Sequence, residues 1–226
     1  RTWTSAKGVF GGAVAELALG LLLGGMRHIA GYARKQEWTE DHGRTLYGAR
    51  VTILGAGGIA QSLISMLKPF NCHITVVRNR EGGVPDADVV LTTSRLHEAL
   101  LRADAVLMAI ALTPHTQGIM GKAEFGLMQS HAWIVNVGRG KQIVTDDLVW
   151  ALETGQIGGA ALDVTDPEPL PTGHPLWSLP NCIITPHVGN TAEMVPPLLA
   201  LRIAENVRRF AAGEQLIGIV DRTVGY

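Results

Sequence analysis

The sequence predicts an α/β fold: a doubly wound, mostly parallel sheet with helices on both faces. Three observations carry this. Short apolar runs recur without the strict polar–apolar alternation of a one-sided sheet, as strands covered on both faces require. Segments with helical spacing separate those runs. And the apolar run at residues 51–54 leads straight into Gly55-Ala56-Gly57-Gly58-Ile59-Ala60, a tight glycine turn that opens a helix.

The elements follow in order. Residues 12–36 read as one long helix, with Val14, Leu17, Leu21 and Ile29 at helical spacing. Gly20 and Gly24 lie one turn apart on it, which lets a neighbouring element approach. A polar connection at 41–48 leads into the first strand, 51–54. A second strand at 72–77 ends at Arg78-Asn79-Arg80, and a Gly/Pro loop follows at 81–88. Residues 94–103 form a helix with Leu96, Leu100 and Leu101 on one side. The next strand, 104–109, is broken at Thr113-Pro114. A helix at 122–128 and a strand at 132–137 bring the chain to Gly138-Arg139-Gly140. Thr145-Asp146-Asp147 starts a helix with its body at 148–153, and Gly155 stops it. The apolar run 157–164 opens onto Thr165-Asp166-Pro167-Glu168-Pro169, within a Pro-rich loop that reaches Pro180. The last strand, 181–185, is closed by Pro186-His187. A final helix lies within 191–212, its start near Pro196 and Pro197, because proline suits the first helical turn. The tail 213–226 is coil or extended. There is no internal repeat and no low-complexity tract.

Composition narrows the function classes. The chain has 226 residues and is 46% hydrophobic, enough for a sizeable core. Nineteen Lys and Arg stand against 20 Asp and Glu, so no basic surplus points to nucleic acid or to an anionic membrane. Eight histidines show no H-E-x-x-H, and there is no C-x-x-C, so no metal site is expected. Cys72 and Cys182 sit in β-like apolar runs and read as buried free thiols, which suits a reducing cytoplasm. The stretch 8–25 behind Lys7 imitates a signal peptide. Glu16 interrupts it, no A-x-A site follows, and it is too short to span a bilayer.

The glycine turn fits G-x-G-x-x-A, and each place has a task. Gly55 allows the sharp turn out of the strand, Gly57 lets a pyrophosphate approach the backbone, and Ala60 lets helix and strand pack closely. The free N–H groups of the first helical turn, at Gly58 and Ile59, then face the phosphates. Such a turn also forms for structural reasons, and the flanking strand and helix are what turn it toward a dinucleotide and a Rossmann-like fold. In such a sheet, ligands lie outside the carboxyl ends of the strands. There stand Arg78 and Arg80, the segment from Ala111 to Thr116, Arg139, Asp163 with Glu168, and His187. Singly, Arg139 and Glu168 read equally as solvated charges and His187 as a half-buried structural histidine. Their convergence on one edge favours a site.

Five segments, in order, carry a resemblance: GAGGIA at 55–60, LTPHT at 112–116, IVNVGRG at 134–140, ALDV at 161–164 with Glu168-Pro169, and PLWSLPNCIITPHVGNT at 175–191. The chain resembles the D-isomer-specific 2-hydroxyacid dehydrogenase family over most of residues 8–226. The resemblance implies an oxidoreductase moving a hydride between a nicotinamide cofactor and a small 2-keto or 2-hydroxy acid. It implies that Arg139 holds the substrate carboxylate, where a planar guanidinium fork fits. His187 would exchange a proton with the carbonyl oxygen, and Glu168 would set the tautomer of His187 and favour its protonated form. Asp163 would bind the nicotinamide carboxamide. Gly55, Gly57, Gly58, Ile59, Arg78, Asn79, Arg80, Ala111, Val137, Asp163 and Gly189 form the expected cofactor-binding set.

Three departures qualify the resemblance. Relatives that bind NAD usually close the second strand with an acidic residue. Here Arg78 stands 23 residues after Gly55 with Arg80 beside it, so NADP(H) is the expected cofactor and NAD(H) the alternative. Ala111 stands where many relatives have proline, so the loop near the nicotinamide is expected to sit differently. And the chain starts near the linking helix of a two-domain family. Residues 1–226 are therefore expected to be one dinucleotide-binding domain. The helix 8–36 and the segment 191–226 would contact a substrate domain missing on the N-terminal side. Such a fragment would bind dinucleotide and turn over poorly. The resemblance also implies a homodimer, to which residues 8–23 would contribute. Glyoxylate or hydroxypyruvate reduction is the expected activity. The alternative is a dinucleotide-sensing, corepressor-like interaction module of the same fold. An adenosylhomocysteinase-like hydrolase is disfavoured by the order Arg139, Glu168, His187.

Overall fold

A computed structural model describes residues 2–220. Seven strands form one parallel sheet in the order β3-β2-β1-β4-β5-β6-β7. They are β1 (Arg50–Leu54), β2 (His73–Arg78), β3 (Val89–Thr92), β4 (Ala105–Met108), β5 (Trp133–Asn136), β6 (Gly159–Leu162) and β7 (Cys182–Ile184). The helices are α1 (Gly11–Met26), α2 (Ile29–Tyr32), α3 (Gly58–Leu67), α4 (Leu96–Leu100), α5 (Lys122–Leu127), α6 (Thr145–Glu153) and α7 (Val195–Ala211). This is the doubly wound, Rossmann-like arrangement that the sequence predicts.

The strands lack polar–apolar alternation because both faces are buried, and β1 shows how. Val51 and Ile53 join one core, with α1 and α3, while Leu54 joins the core on the opposite face, with α4, α5 and α6. Thr52, pointing to that second face, satisfies its hydroxyl on the Ala99 carbonyl at 2.8 Å. β4 divides in the same way, Ala105 and Leu107 to one core and Val106 and Met108 to the other. The chain leaves β1 toward β2 and β3, then returns to the far side of β1 as β4. The carboxyl ends of β1 and β4 are thus the switch point, where an open α/β sheet has its crevice.

Several boundaries differ from expectation. The helix expected at 12–36 ends at Met26; His28 is left-handed at φ 52°, and only the four residues of α2 follow. Met26 is the last buried residue of that segment, and Ile29 is exposed, so nothing holds a longer helix against the sheet. Its close approaches use other glycines than Gly20 and Gly24. A Cβ on Gly11 would lie 2.8 Å from the backbone of Gly58, and one on Gly25 would lie 2.3 Å from the Trp133 ring. The strand β3 was not expected. Four residues, three half-buried and Leu91 buried, carry little periodic signal, and pairing with β2 alone reveals them. The helix expected at 94–103 narrows to α4. α7 begins at Val195, with Pro196 and Pro197 in its first turn, as expected. The expected extended tail is seen only in part: Ile219 bridges Thr4, and residues 221–226 lie outside the described residues.

Candidate active site

The glycine turn is built as its spacing implies. Gly55 has φ +111°, donates its N–H to the Val77 carbonyl at 2.7 Å, and would place a Cβ 2.5 Å from the Ala109 carbonyl oxygen. Only glycine fits there. A Cβ at Gly57 would meet nothing within 4 Å, so the space in front of α3 is open. The first backbone bond of the helix runs from Gln61 to the Gly57 carbonyl at 3.0 Å. The N–H groups of Gly58, Ile59 and Ala60 thus stay available at the positive end of a ten-residue helix. Open space and aligned donors fit a pyrophosphate. Ala60 is fully buried, which is the close packing expected of it.

At the end of β2, Arg78 is half-buried and donates from Nη1 to the Gly83 carbonyl at 3.3 Å, while Asn79 and Arg80 are exposed. Among the described residues, neither arginine has a carboxylate partner. Past β4, the Ala111 carbonyl accepts from Thr116 Oγ1 at 2.7 Å, and Thr116 Oγ1 also accepts from the Thr113 N–H at 2.8 Å. The threonine side chain, not a proline, therefore closes this loop. Val137 is buried at the end of β5 and bonds to the Met108 carbonyl at 3.2 Å.

The Arg139 loop depends on two buried amides that sequence reading missed. Asn136 Oδ1 accepts from the Gly138 N–H at 2.9 Å, and its Nδ2 donates to the Arg139 carbonyl at 3.1 Å. Gln142 Oε1 accepts from the Arg139 N–H at 2.9 Å, and its Nε2 donates to the Ile110 carbonyl at 2.8 Å. A Cβ on Gly140 would stand 1.9 Å from the Thr165 carbonyl oxygen, so this loop lies directly against the one leading to Glu168. The signal was available in principle: Asn136 closes an apolar strand, where a polar side chain needs a partner. The Arg139 side chain is exposed and, among the described residues, bonded only to the Gly138 carbonyl at 2.6 Å.

Glu168 and His187 do meet: His187 Nδ1 lies 2.6 Å from Glu168 Oε1, with the side chains 49% and 41% exposed. An ionised carboxylate only accepts, so Nδ1 carries a proton and Nε2 is left to face a reactant. His187 is itself left-handed at φ 55°, a conformation that a non-glycine residue holds only when its surroundings impose it. Asp163, 3% exposed, imposes it. Its Oδ1 accepts from Thr185 Oγ1 at 2.6 Å and the Val188 N–H at 2.8 Å, and its Oδ2 accepts from the Gly189 N–H at 2.9 Å. The carboxylate expected at the carboxamide is also the clamp of the histidine loop. A hollow of about 230 Å³, lined by Asp163, Glu168, Leu170, Trp177 and His187, opens beside the pair.

A family model described as "D-isomer specific 2-hydroxyacid dehydrogenase, NAD binding domain" matches residues 19–189. The chain belongs to this family. Among relatives of the dehydrogenase domain, a Corynebacterium melassecola protein described as an uncharacterized protein in the proB 3′ region is 41% identical over 230 residues, 99% of this chain and 76% of that protein. The human glyoxylate reductase/hydroxypyruvate reductase is 35% identical over 89% of this chain. The chain spans 64% of the human protein's length. A Xanthobacter autotrophicus D-isomer specific 2-hydroxyacid dehydrogenase, solved with NADPH and MES, superposes with a TM-score of 0.86 at 29% identity, covering 100% of this chain and 94% of that one. Among the described residues, no cluster of side chains could hold a metal ion, and no helix is long and apolar enough to cross a membrane.

Proposed function

We propose that this dehydrogenase domain serves an NADP(H)-preferring oxidoreductase of small 2-keto and 2-hydroxy acids, of the glyoxylate or hydroxypyruvate type. The observation that carries the reading is the 2.6 Å Glu168–His187 pair, set beside the Arg139 loop at the carboxyl edge of the sheet. The open space at Gly57 and the free N–H groups of α3 fit a dinucleotide pyrophosphate. When bound, the nicotinamide supplies or takes up the hydride. Arg139 binds the substrate carboxylate with its fork and draws charge toward the keto oxygen. His187 Nε2 gives a proton to that oxygen during reduction and takes it back during oxidation. Glu168 holds the imidazole tautomer and offsets the charge of the imidazolium. Asp163 fixes the loop that carries His187 and borders the place of the carboxamide, with Val137, Ala111 and Gly189 nearby along the same edge.

NADP(H) preference is supported by two guanidiniums, Arg78 and Arg80, without carboxylate partners among the described residues, where a ribose 2′-substituent would lie. The exposed apolar side chains of α7, Leu201, Val207 and Phe210 at 70%, 64% and 78%, fit contact with a substrate domain. α1 buries Val14, Ala15, Ala18, Leu21 and Leu22 within the domain and leaves Leu17, Leu19 and Leu23 half-buried, which fits a further contribution to a homodimer contact.

The test, on the full-length protein, is oxidation of NADPH with glyoxylate, hydroxypyruvate, pyruvate and longer 2-keto acids, beside His187→Gln. Turnover that His187→Gln removes while cofactor still binds supports the reading. Tight dinucleotide binding with no turnover of any acid overturns it in favour of the sensing module.

A further inference from the structure

The cation that discriminates NADP(H) from NAD(H) need not come only from the end of β2. The β2–β3 connection and the end of β3 enclose a hollow of about 420 Å³ at the carboxyl edge of the sheet, lined by Arg80, Glu81, Gly82, Gly83, Thr92 and Arg95. Arg95 stands three residues past Thr92, the last residue of β3, and β3 pairs with β2 so that Thr92 lies opposite Arg78. Strand pairing thus brings a third guanidinium to the place where the sequence showed two. Its chain distance from Arg78 hides it from any motif built on the second strand.

The position of Arg95 is held from behind. Its Nε donates to Glu98 Oε2 at 2.9 Å and its Nη2 donates to both Glu98 oxygens at 2.6 and 2.7 Å. Nη1 has no partner among the described residues. Glu98 therefore orients the fork along one edge and leaves donors on the other. Both side chains are 55% exposed, and such a pair contributes little to stability. Its consequence is orientation. Arg80, Glu81 and Arg95 line the hollow, Arg78 reaches the Gly83 carbonyl in its wall and Glu98 holds Arg95, so three guanidiniums stand against two carboxylates and a dianion meets a net positive surface. The glycines at 82 and 83 add backbone donors without side chains in the way, and the hydroxyls of Thr92 and Ser94, 2.8 Å apart, lie at the same rim. Three cations, small residues and hydroxyls in an open hollow suit a phosphomonoester.

We propose that Arg95 is a further cofactor-discriminating residue, which binds the 2′-phosphate of NADP(H) together with Arg78 and Arg80, with Glu98 as the positioning residue that aims it. This rests on the dinucleotide reading above and extends it to a residue outside the second strand.

Binding of NADPH, NADH, 2′,5′-ADP and 5′-AMP by calorimetry at low salt tests it on wild type, Arg95→Gln and Arg95→Lys. Arg95→Gln weakens NADPH and 2′,5′-ADP by roughly tenfold and NADH and 5′-AMP by less than about twofold, as loss of one charged phosphate contact predicts. Arg95→Lys, which keeps the charge without the planar fork, falls between. Added salt erodes the NADPH advantage of wild type more than that of Arg95→Gln. A wild type that prefers NADPH, with an unchanged NADPH-to-NADH ratio in Arg95→Gln, overturns the assignment of Arg95 alone. Equal weakening of all four ligands overturns it too, because it marks a structural role. A wild type that binds NADPH and NADH equally overturns the NADP(H) reading itself.

Discussion

His187 stands in a left-handed backbone conformation that a non-glycine residue rarely adopts unaided, and three hydrogen bonds to the buried Asp163 hold its loop there. Thr185→Val removes one donor from that carboxylate without touching the pair itself. Bonds to a charged group of this kind contribute about 1.5–3 kcal/mol, so denaturant unfolding should show a loss in that range. An unchanged midpoint would mean that the clamp is dispensable. His187→Gln should lower kcat by about 10²–10⁴ while cofactor affinity stays within a few-fold; an equal loss of affinity would point to a structural histidine. The thiols behave oppositely to reactive ones. Burial pushes the Cys182 thiol up to about 12, and burial also raises the half-buried Cys72, whose Sγ lies 3.3 Å from the Leu46 carbonyl. At pH 8 the thiolate share of Cys182 is about one in ten thousand. An aromatic disulfide reagent should therefore label Cys182 only as fast as the chain opens; rapid labelling of the folded protein would contradict this.

At the scale of elements, strand–turn–helix units place the site, and glycines decide how near they come. Gly55 lies under the Ala109 carbonyl, and Gly140 lies under that of Thr165. Gly55→Ala adds a Cβ both at a positive φ and at 2.5 Å from backbone oxygen, so β1 and the end of β4 must separate. A loss of several kcal/mol is expected, above the 1–3 kcal/mol of backbone strain alone. It should appear as a lower melting temperature together with loss of dinucleotide binding. A fully stable variant with normal binding would show that the turn can relax. The glycine turn, the strand ends and the proline-started α7 were readable because each depends on residues adjacent in sequence. The end of α1 was not: apolar spacing continues to Ile29, and only the lack of a surface beneath it stops the helix at Met26.

For the whole molecule, the amino edge of the sheet is tied as firmly as the carboxyl edge is left open. Asp104 Oδ2 accepts from the Arg50 N–H at 2.8 Å and Oδ1 meets His131 Nε2 at 2.6 Å, which joins the starts of β1, β4 and β5. Burial pushes the Asp104 carboxyl up. The Arg50 N–H, the hydrogen bond and charge of His131, and Arg44 outweigh that and hold it below the usual carboxylate range. A depressed folded value means that the unfolded chain takes up the proton first. The contribution to stability is therefore complete above about pH 4 and is lost as pH falls through the folded value. Asp104→Asn should flatten the acid limb of stability against pH; parallel limbs for the two proteins would refute the coupling.

The sequence by itself determined the fold class, the glycine turn and the places of Arg139 and His187 at strand ends, because each is written in local order: an apolar run, a glycine spacing, a residue at a strand end; the resemblance supplied the roles expected of Arg139, Glu168 and His187. Tertiary structure alone decided which of these touch. It brought Glu168 to His187 across 19 residues and set Asp163 to hold a loop 22 to 26 residues away. It exposed Asn136 and Gln142 as the support of Arg139, and added β3, whose last residue, Thr92, pairs with Arg78 three residues before Arg95. The physical reason is that a parallel sheet joins its strands only through long crossovers. Neighbours at its edge are therefore distant in the chain, and no periodicity in the sequence records their pairing.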